Sequence, residues 1–468
     1  MATTEARGDQ QVSGLERRLG ALDAAAIIVS NVIGGGILFT APQIARTITD
    51  PWWFLAIWLA GGLLALAGAM GYAELATLRP RAGGEYVYLR EAFGPAAAFL
   101  TGWTSFVAGF SGAIAVSAMV FADYVGRFLP LAASRTPLLI VPIPIVPLTV
   151  TPQTACAVLV IALMTWIHMR GLGPGRLVGN LLAALKVSAL VVFIVLGASL
   201  GAGSVDHFAS AGGVPAGSWL LALVPVMFTY SGWNAAAYVA EEIRDPARNV
   251  PRALALGTVA VMVIYVALNA LYLYVFPIEA LAGVQGSVLD RVADRLLGAA
   301  AGNVMGAVAI VSLAASISAM VLAGPRVYYA MARDGVFLAR AAQVHPRYRT
   351  PAASMLAQAL WSTLLVLSAK ADALVSYTGF SVILFSGIAG LAVFVLRGRL
   401  PDEPRPFRAW GYPYAPALFV GASALIVMNA IWRNPRPTVA GAVIILAGLP
   451  IYWWLRRRIR NAELGMRN

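Results

Sequence analysis

The stretch from Ser30 to Phe39, SNVIGGGILF, places three consecutive glycines inside an otherwise apolar run. Glycine weakens a helix interior by roughly 0.5–1 kcal/mol relative to alanine, so Gly34, Gly35 and Gly36 predict a helix break. The surrounding run, residues 20–46, is long enough to cross a membrane, and Pro42 follows the break. Because an unsatisfied backbone group is costly inside lipid, a break at that depth is tolerated only where it lines a cavity or is buried in protein.

The composition is that of a membrane protein. Hydrophobic residues make up 60% and charged residues 12% of the 468, against about 45–50% and about 25% in soluble domains. Apolar segments of about 20 residues match a hydrocarbon core of roughly 30 Å. We count twelve, at residues 20–46, 52–77, 95–127, 152–170, 177–200, 219–242, 252–275, 299–332, 352–368, 371–396, 413–432 and 437–455. The predicted fold class is therefore an all-α integral membrane protein with twelve transmembrane helices.

The distribution of basic residues predicts the orientation. With a cytoplasmic N-terminus, the inner segments carry 25 of the 34 Lys and Arg, the outer segments carry 8, and Lys186 lies within a span. Cytoplasmic loops carry such an excess, so the tails 1–19 and 456–468 are both predicted to be cytoplasmic. The protein itself is predicted to lie in the plasma membrane. The net charge of +13 then reflects the excess of basic residues in the cytoplasmic segments, and it does not indicate nucleic-acid binding. No signal peptide is apparent.

A second break is expected in the sixth span. Ser231 and Gly232 interrupt the apolar run there, five spans after the first break. Corresponding interruptions in two halves are typical of transporters built from inverted repeats, with the substrate site at the midplane. The alternative is that these glycines serve close helix packing, since the chain has 45 of them.

Two broken helices can bind a zwitterion with few side chains. The free N–H groups at the start of a half-helix form an anion site, which the helix dipole strengthens. The free carbonyls at the end of the preceding half-helix suit a cation. We therefore expect the two breaks to bind both the carboxylate and the ammonium group of a small ligand.

Four motifs give the chain a family resemblance. VIGGGILFTAP (32–42) resembles the first-span signature of the amino acid–polyamine–organocation superfamily, and FTYSGWNAAAYVAEEIRDPARNVPRAL (228–254) resembles the sixth span of its L-type amino acid transporter branch. AELATLRPRAGGEYVYLREAFGP (73–95) and PRPFRAWGYP (404–413) are similar to loops of that branch. The resemblance implies the fold of a sodium-coupled leucine transporter. In that fold, one inverted repeat (20–200, spans 1–5) precedes a second (219–397, spans 6–10), and two further helices follow (413–455).

The resemblance also implies the site residues. Gly35 and Gly36 would donate amides to the substrate carboxylate, and the carbonyls of Val32, Phe228 and Ser231 would accept from its ammonium group. The other substrate-binding residues predicted around the breaks are Ile33, Gly34, Tyr230, Gly232, Trp233 and Asn234, the last holding the unwound sixth span or contacting the ligand. Gly35 stands where many relatives have Ser, and Ser231 stands where Gly is common, so the size of the substrate stays open.

Lys186 lies in the fifth span, roughly 14 Å from its inner end at 1.5 Å per residue. An ionisable group at such depth is a functional hypothesis by default. In sodium-independent relatives, a lysine at the matching position looks like a fixed substitute for a sodium ion between the first and eighth spans. On that resemblance, Lys186 would reach carbonyls near the first break and a hydroxyl of Ser312 or Ser316. The alternative is a lysine that extends its charged end towards the membrane surface or only braces helices.

These features predict a secondary active transporter of amino acids that works by alternating access, independently of sodium, with proton coupling or exchange. Neutral substrates are favoured because no acidic or basic side chain beyond Lys186 is evident near the breaks. A polyamine or cationic amino acid permease of the same fold is the alternative, which acidic residues lining the pocket would favour. A channel or a membrane sensor is the alternative of another class. The amino acid, the oligomeric state and the direction of flux stay open.

An enzyme is not expected. His168, His207 and His345 fall at span ends or in loops, and no segment carries a metal-spaced cluster or a nucleophile motif, so neither a cofactor nor a metal site is predicted. Human relatives pair with a single-span glycoprotein through a cysteine before the fourth span. Cys156 lies deeper, within that span, so no such heavy-chain partner is expected; the expected contacts are substrate, protons and membrane lipid.

A charged segment follows the sixth span. Glu241 and Glu242 lie there with Arg244, Asp245 and Arg248. We expect these residues to form ion pairs with one another that close the cytoplasmic side of the site; the alternative is a solvated loop.

Overall fold

The computed structural model describes residues 14–143, 147–200, 203–210, 212–298, 300–368, 371–433 and 435–465. Residues 1–13 of the predicted N-terminal tail and residues 466–468 of the predicted C-terminal tail lie outside the described residues.

The first half of the described chain is helical apart from one hairpin. Its helices are α1 (Ala21–Val32), α2 (Gly36–Ala45), α3 (Pro51–Leu78), α4 (Glu85–Phe93), α5 (Pro95–Thr104), α6 (Phe110–Val125), α7 (Pro152–Met169) and α8 (Leu172–Leu200). A π-helical turn, Ser105–Gly109, joins α5 to α6. A 3₁₀ turn (Pro130–Ala133) and the antiparallel strands β1 (Leu139–Val141) and β2 (Leu148–Val150) precede α7.

The second half is also helical. Its helices are α9 (Ala216–Thr229), α10 (Ala235–Tyr238), α11 (Pro246–Val275), α12 (Ile278–Ala282), α13 (Val288–Leu297), α14 (Ala301–Arg333), α15 (Ala352–Leu367), α16 (Ala371–Arg399), α17 (Tyr414–Arg433), α18 (Pro435–Leu446) and α19 (Gly448–Gly465). Short 3₁₀ turns lie at Val205–Phe208, Ala240–Glu242 and Ala339–Ala342.

Local sequence explains where the long helices begin. The Asp50 side chain accepts hydrogen bonds from the amides of Trp52 (2.9 Å) and Trp53 (3.0 Å), and Pro51 occupies the first position of α3. Thr151 and Pro152 begin α7 in the same way. Such caps satisfy amides that have no partner within the helix. Because its first amides are satisfied, each of these helices can begin next to an apolar environment.

Several helices are long and apolar enough to span a membrane. Within the described residues there are nine such segments, or ten when α1 and α2, bent by 52° at their break, count as one span. The predicted sixth and ninth spans correspond to α9 and α15, which have 14 and 16 residues and are shorter than the other spans. The chain is thus a multi-pass membrane protein, and the count of twelve spans stays a prediction.

The two broken helices pack side by side. α1 contacts α10, and α2 contacts α9. The first half of each broken helix therefore lies against the second half of the other, which is an antiparallel arrangement. α8, α11 and α14 surround α1, so the two breaks meet in the centre of the protein.

Candidate substrate site

The first break exposes backbone amides to a cavity. α1 ends at Val32 and α2 begins at Gly36. In the described part of the chain, the amides of Gly34, Gly35 and Gly36 donate no hydrogen bond to a backbone carbonyl outside a helix. All three glycines line the cavity. A Cβ at Gly36 would lie 3.3 Å from the Thr229 Cα, whereas a Cβ at Gly35 would meet nothing within 4 Å. The break therefore presents free N–H groups, and Gly36 allows α2 to approach α9.

The second break contacts the first directly. α9 ends at Thr229, and Gly232 has a φ of +102°, a backbone conformation that residues with a Cβ rarely adopt. A Cβ at Gly232 would lie 2.6 Å from Asn31 Nδ2. The same Asn31 amide donates to the carbonyl oxygen of Gly232 at 3.3 Å. Glycine at this position thus allows both the turn and the contact with α1.

Tyr265 of α11 links the ends of both first half-helices. Its hydroxyl lies 2.9 Å from the carbonyl oxygen of Val32 and 3.2 Å from that of Thr229, close enough to donate to either. Its side chain is fully buried. We did not predict this residue from sequence; the only signal was a tyrosine in the middle of an apolar span.

A cavity of about 710 Å³ begins at the breaks. It extends along α6 to Asp123, and on to Arg135 and to Thr149 of β2, on the side predicted to be outer. The predicted site residues that line it are Val32, Gly34, Gly35, Gly36, Phe228, Ser231, Gly232, Asn234 and Ser316. This volume is within the range of about 300–1,000 Å³ of small-molecule sites.

Three of the predicted substrate-binding residues do not line this cavity. Tyr230 is buried, and its hydroxyl donates to the carbonyl oxygen of Trp58 at 2.9 Å. Trp233 packs edge-on against Tyr72 and Phe419. Ile33 is also buried. The two rings and the isoleucine fill the protein behind the breaks, and their contact with a ligand stays a prediction.

Lys186 and two serines converge on the end of α1. The Lys186 ammonium donates to the carbonyl oxygens of Ser30 at 3.1 Å and Ile33 at 2.5 Å. The Ser316 hydroxyl donates to Ser30 O at 2.8 Å, and the Ser312 hydroxyl donates to Ile33 O at 3.0 Å. Lys186 has no exposed surface. One cation and two hydroxyls therefore satisfy carbonyls that the break leaves without helical partners.

Glu85 is an acidic residue of the cavity wall that sequence reasoning missed. It lines the cavity, is 6% exposed, and accepts hydrogen bonds at Oε1 from Tyr72 (2.6 Å), Asn234 (2.8 Å) and Ser386 (3.1 Å). Our expectation that no acidic side chain lies near the breaks is thus wrong, because folding brings α4 against the residues that follow the second break. The only sequence signal was a glutamate directly after Gly83 and Gly84.

The ion pairs below the second break differ from those predicted. Glu242 forms a bidentate pair with Arg326 of α14, at 2.8 Å for both contacts, and neither side chain is exposed. Glu241 lies 3.4 Å from Arg333 and accepts from the amide of Ala82 at 2.9 Å. The expected pairing within the charged segment itself is therefore wrong, because the carboxylates find partners on a distant helix.

The described residues offer no alternative centre for metal chemistry. No group of three or more His, Cys, Asp or Glu side chains among them could hold a metal ion. The single cysteine, Cys156, is free and half-buried in α7.

Comparison with known proteins gives the family. A family model described as amino acid permease matches residues 19–455. The rat b(0,+)-type amino acid transporter 1 is 30% identical over 452 residues, which cover 95% of this chain and 89% of that protein. The mouse large neutral amino acids transporter small subunit 2 is 28% identical over 447 residues, covering 94% of this chain and 81% of that protein. The serine/threonine exchanger SteT of Bacillus subtilis is 25% identical over 449 residues, covering 95% and 98%.

These relatives are transporters, so the prediction of a transporter and not an enzyme is confirmed. The chain belongs to the amino acid permease family, within the amino acid–polyamine–organocation superfamily, and resembles its L-type branch.

Proposed function

We propose that this protein carries neutral amino acids by alternating access, without sodium. In this proposal the amides of Gly35 and Gly36 bind the substrate carboxylate, while the carbonyls of Phe228 and Ser231 accept from its ammonium group. The carbonyl of Val32 would contribute its second lone pair, because Tyr265 already lies within hydrogen-bond distance of it. Free N–H groups at a helix start favour an anion.

The contacts of Lys186 carry the proposal. Its ammonium binds the carbonyls of Ser30 and Ile33, to which Ser312 and Ser316 also donate. The ammonium takes both of its oxygen partners from the end of α1, and the two hydroxyls of α14 donate to the same oxygens. In this proposal the covalently attached cation of α8 supplies the positive charge that a sodium ion would otherwise bring to the end of α1, while Ser312 and Ser316 link α1 to α14.

The closed and open ends of the site support alternating access. The cavity opens towards Asp123 and Arg135, on the side predicted to be outer. The buried pair of Glu242 and Arg326 lies beyond the second break, towards the predicted cytoplasmic side. We infer that the structure has an outward-open form, with both termini cytoplasmic and the protein in the plasma membrane.

The packing of the broken helices supports an inverted repeat. The contacts of α1 with α10 and of α2 with α9 are equivalent under a two-fold exchange of the two halves. We propose repeats at 20–200 and 219–397, with α17 to α19 appended as the last two of twelve spans. We also propose that the carrier works without a disulfide-linked subunit, because Cys156 lies in the first turns of α7.

Uptake by reconstituted protein tests the proposal. We expect labelled neutral amino acids to enter proteoliposomes equally well when choline replaces sodium. Lys186→Met should abolish or strongly slow uptake, because the carbonyls at the break lose their cation. Arg176→Met is the matched control, since Arg176 is a partly exposed cation near the start of the same helix. Uptake that stops without sodium, or that survives unchanged in Lys186→Met, would contradict the role of the lysine.

A cationic substrate is the second candidate. Glu85 lines the cavity and, among the described residues, forms no ion pair with Lys or Arg. A cationic amino acid or a polyamine could extend an ammonium group towards this carboxylate. Competition of unlabelled arginine and putrescine with neutral amino acid uptake separates the two candidates.

A further inference from the structure

The two acidic residues of the cavity wall have different surroundings. Asp123, at the far end, lies 3.7 Å from Arg135 and accepts from Gln153 at 2.6 Å. Glu85, beside the second break, accepts from neutral donors, and no Lys or Arg of the described chain forms an ion pair with it. A buried carboxylate without a cation is costly to keep charged. The cavity wall thus holds one carboxyl group whose charge no side chain neutralises.

The hydrogen bonds of Glu85 join α3, the second break and α16. Its Oε1 atom accepts from Tyr72 of α3, from Asn234 at the second break and from Ser386 of α16. The Asn234 amide also donates to the Tyr238 hydroxyl at 3.2 Å. A protonated carboxyl loses part of its acceptor capacity and gains one donor. A change in the charge of Glu85 would therefore alter how Asn234 is held.

We propose that Glu85 is the proton-binding group of this carrier and that its protonation releases Asn234, so that substrate and proton cross together. The inference rests on the proposed transport function and narrows it from protons or exchange to proton symport. The proton reaches the carboxyl group through the cavity that it lines, from the predicted outer side. After the cavity closes and opens inward, the proton leaves to the cytoplasm with the substrate.

The other titratable groups near Glu85 are either neutral tyrosines or charged side chains with partners of their own, so Glu85 is the group expected to change charge. Tyr72 of α3, Tyr88 of α4 and Tyr238 of α10 lie around it. A tyrosine hydroxyl has an ordinary pKa of about 10 and is neutral at physiological pH. The charged side chains of the surrounding elements have partners of their own: Arg326 contacts Glu242, Arg397 and Arg405 contact Glu74, Arg79 contacts Glu91 and Glu403, Arg90 contacts Asp334, and Arg399 donates to Ala92 O.

The electrostatic environment agrees with this role. Burial raises the pKa of the Glu85 carboxyl above its usual value, although the side-chain donors around it oppose this effect. A carboxyl group with a raised pKa binds a proton at a higher pH than an exposed glutamate does. Protonation of Glu85 therefore needs less acid than protonation of a surface carboxylate.

Proton movement in proteoliposomes containing a trapped pH dye tests the inference. Addition of a neutral amino acid outside should acidify the interior of vesicles with the wild-type protein. Glu85→Gln should reduce this acidification by about tenfold or more, because an amide does not take up a proton in this pH range. Its residual exchange, measured as counterflow of labelled substrate, should no longer depend on pH. Asp123→Asn, at the far end of the cavity, is the matched control and should acidify like the wild type.

A second variant keeps the test informative if Glu85→Gln does not fold. Ser386→Ala removes one donor to the carboxylate but leaves the carboxyl group, so the charged form becomes less favourable. The pH midpoint of uptake should then move upward. An unchanged midpoint in Ser386→Ala, wild-type acidification by Glu85→Gln, or counterflow by the wild type without acidification would each overturn the inference.

Different results would contradict the proposed transport function and the proton role of Glu85. If the wild-type protein shows no counterflow of any amino acid, the transport function itself is wrong. If counterflow occurs with arginine or putrescine only, and Glu85→Gln abolishes it without any proton signal in the wild type, Glu85 binds a cationic substrate. That result would overturn the proton role and favour the second candidate function.

Discussion

The contact between the two broken helices predicts opposite effects for two neighbouring glycines. Gly35 and Gly36 lie at the start of α2, and Gly35 has helical dihedral angles. A methyl group at Gly36 would lie 3.1 Å from Thr229 Cγ2 and 3.3 Å from Thr229 Cα, whereas one at Gly35 meets no heavy atom within 4 Å. Carbon atoms at optimal contact are about 3.5–4.0 Å apart. Gly36→Ala must therefore push α2 away from the backbone of α9 by a few tenths of an ångström.

The expected cost follows from overpacking. Extra methyl groups in a packed core cost about 1–3 kcal/mol, while replacing glycine by alanine in a helix recovers at most about 1 kcal/mol. Gly36→Ala should therefore be less stable than Gly35→Ala by about 1–3 kcal/mol, which is a factor of about 5–150 in the unfolding equilibrium.

Thermal unfolding of the two purified variants in the same detergent measures this difference. The midpoint for Gly36→Ala should lie clearly below that of the wild type, and the midpoint for Gly35→Ala should lie at or above it. Substrate affinity, measured separately by binding, shows whether the added methyl group at Gly35 intrudes on the ligand. Equal unfolding midpoints for the two variants would refute the close contact between α2 and α9.

Two further variants test buried contacts around the site, each against a control. Tyr265→Phe should destabilise the protein by about 1–2 kcal/mol in thermal unfolding, because its hydroxyl donates to the carbonyls at the ends of both first half-helices. Tyr272→Phe, on the same helix, removes a buried hydroxyl that has no partner in the described structure, and it should be neutral. Arg326→Met leaves the buried carboxylate of Glu242 uncompensated and should cost about 3–5 kcal/mol, whereas Arg333→Met removes a half-exposed cation and should cost less than about 1 kcal/mol. Similar unfolding midpoints within either pair would contradict these assignments.

Much of the site was predictable because it depends on neighbours in the chain. Three glycines in an apolar run predict a weak helix wherever that run lies, and the break at residues 33–35 of the structure is where the sequence indicates it. The charged segment after the second break was also recognisable. Its pairing was not, because Glu242 binds Arg326, a residue 84 positions away.

The sequence by itself determined that this chain lives in lipid, where its first helix breaks and which family it resembles. These properties follow from local hydropathy, from missing side chains and from short motifs. Only the tertiary structure decided that Tyr230 and Trp233 turn away from the cavity and that Glu85 faces it. The physical reason is that burial and hydrogen bonding are shared between helices far apart in sequence, so the charge state of a side chain is defined only after these helices pack.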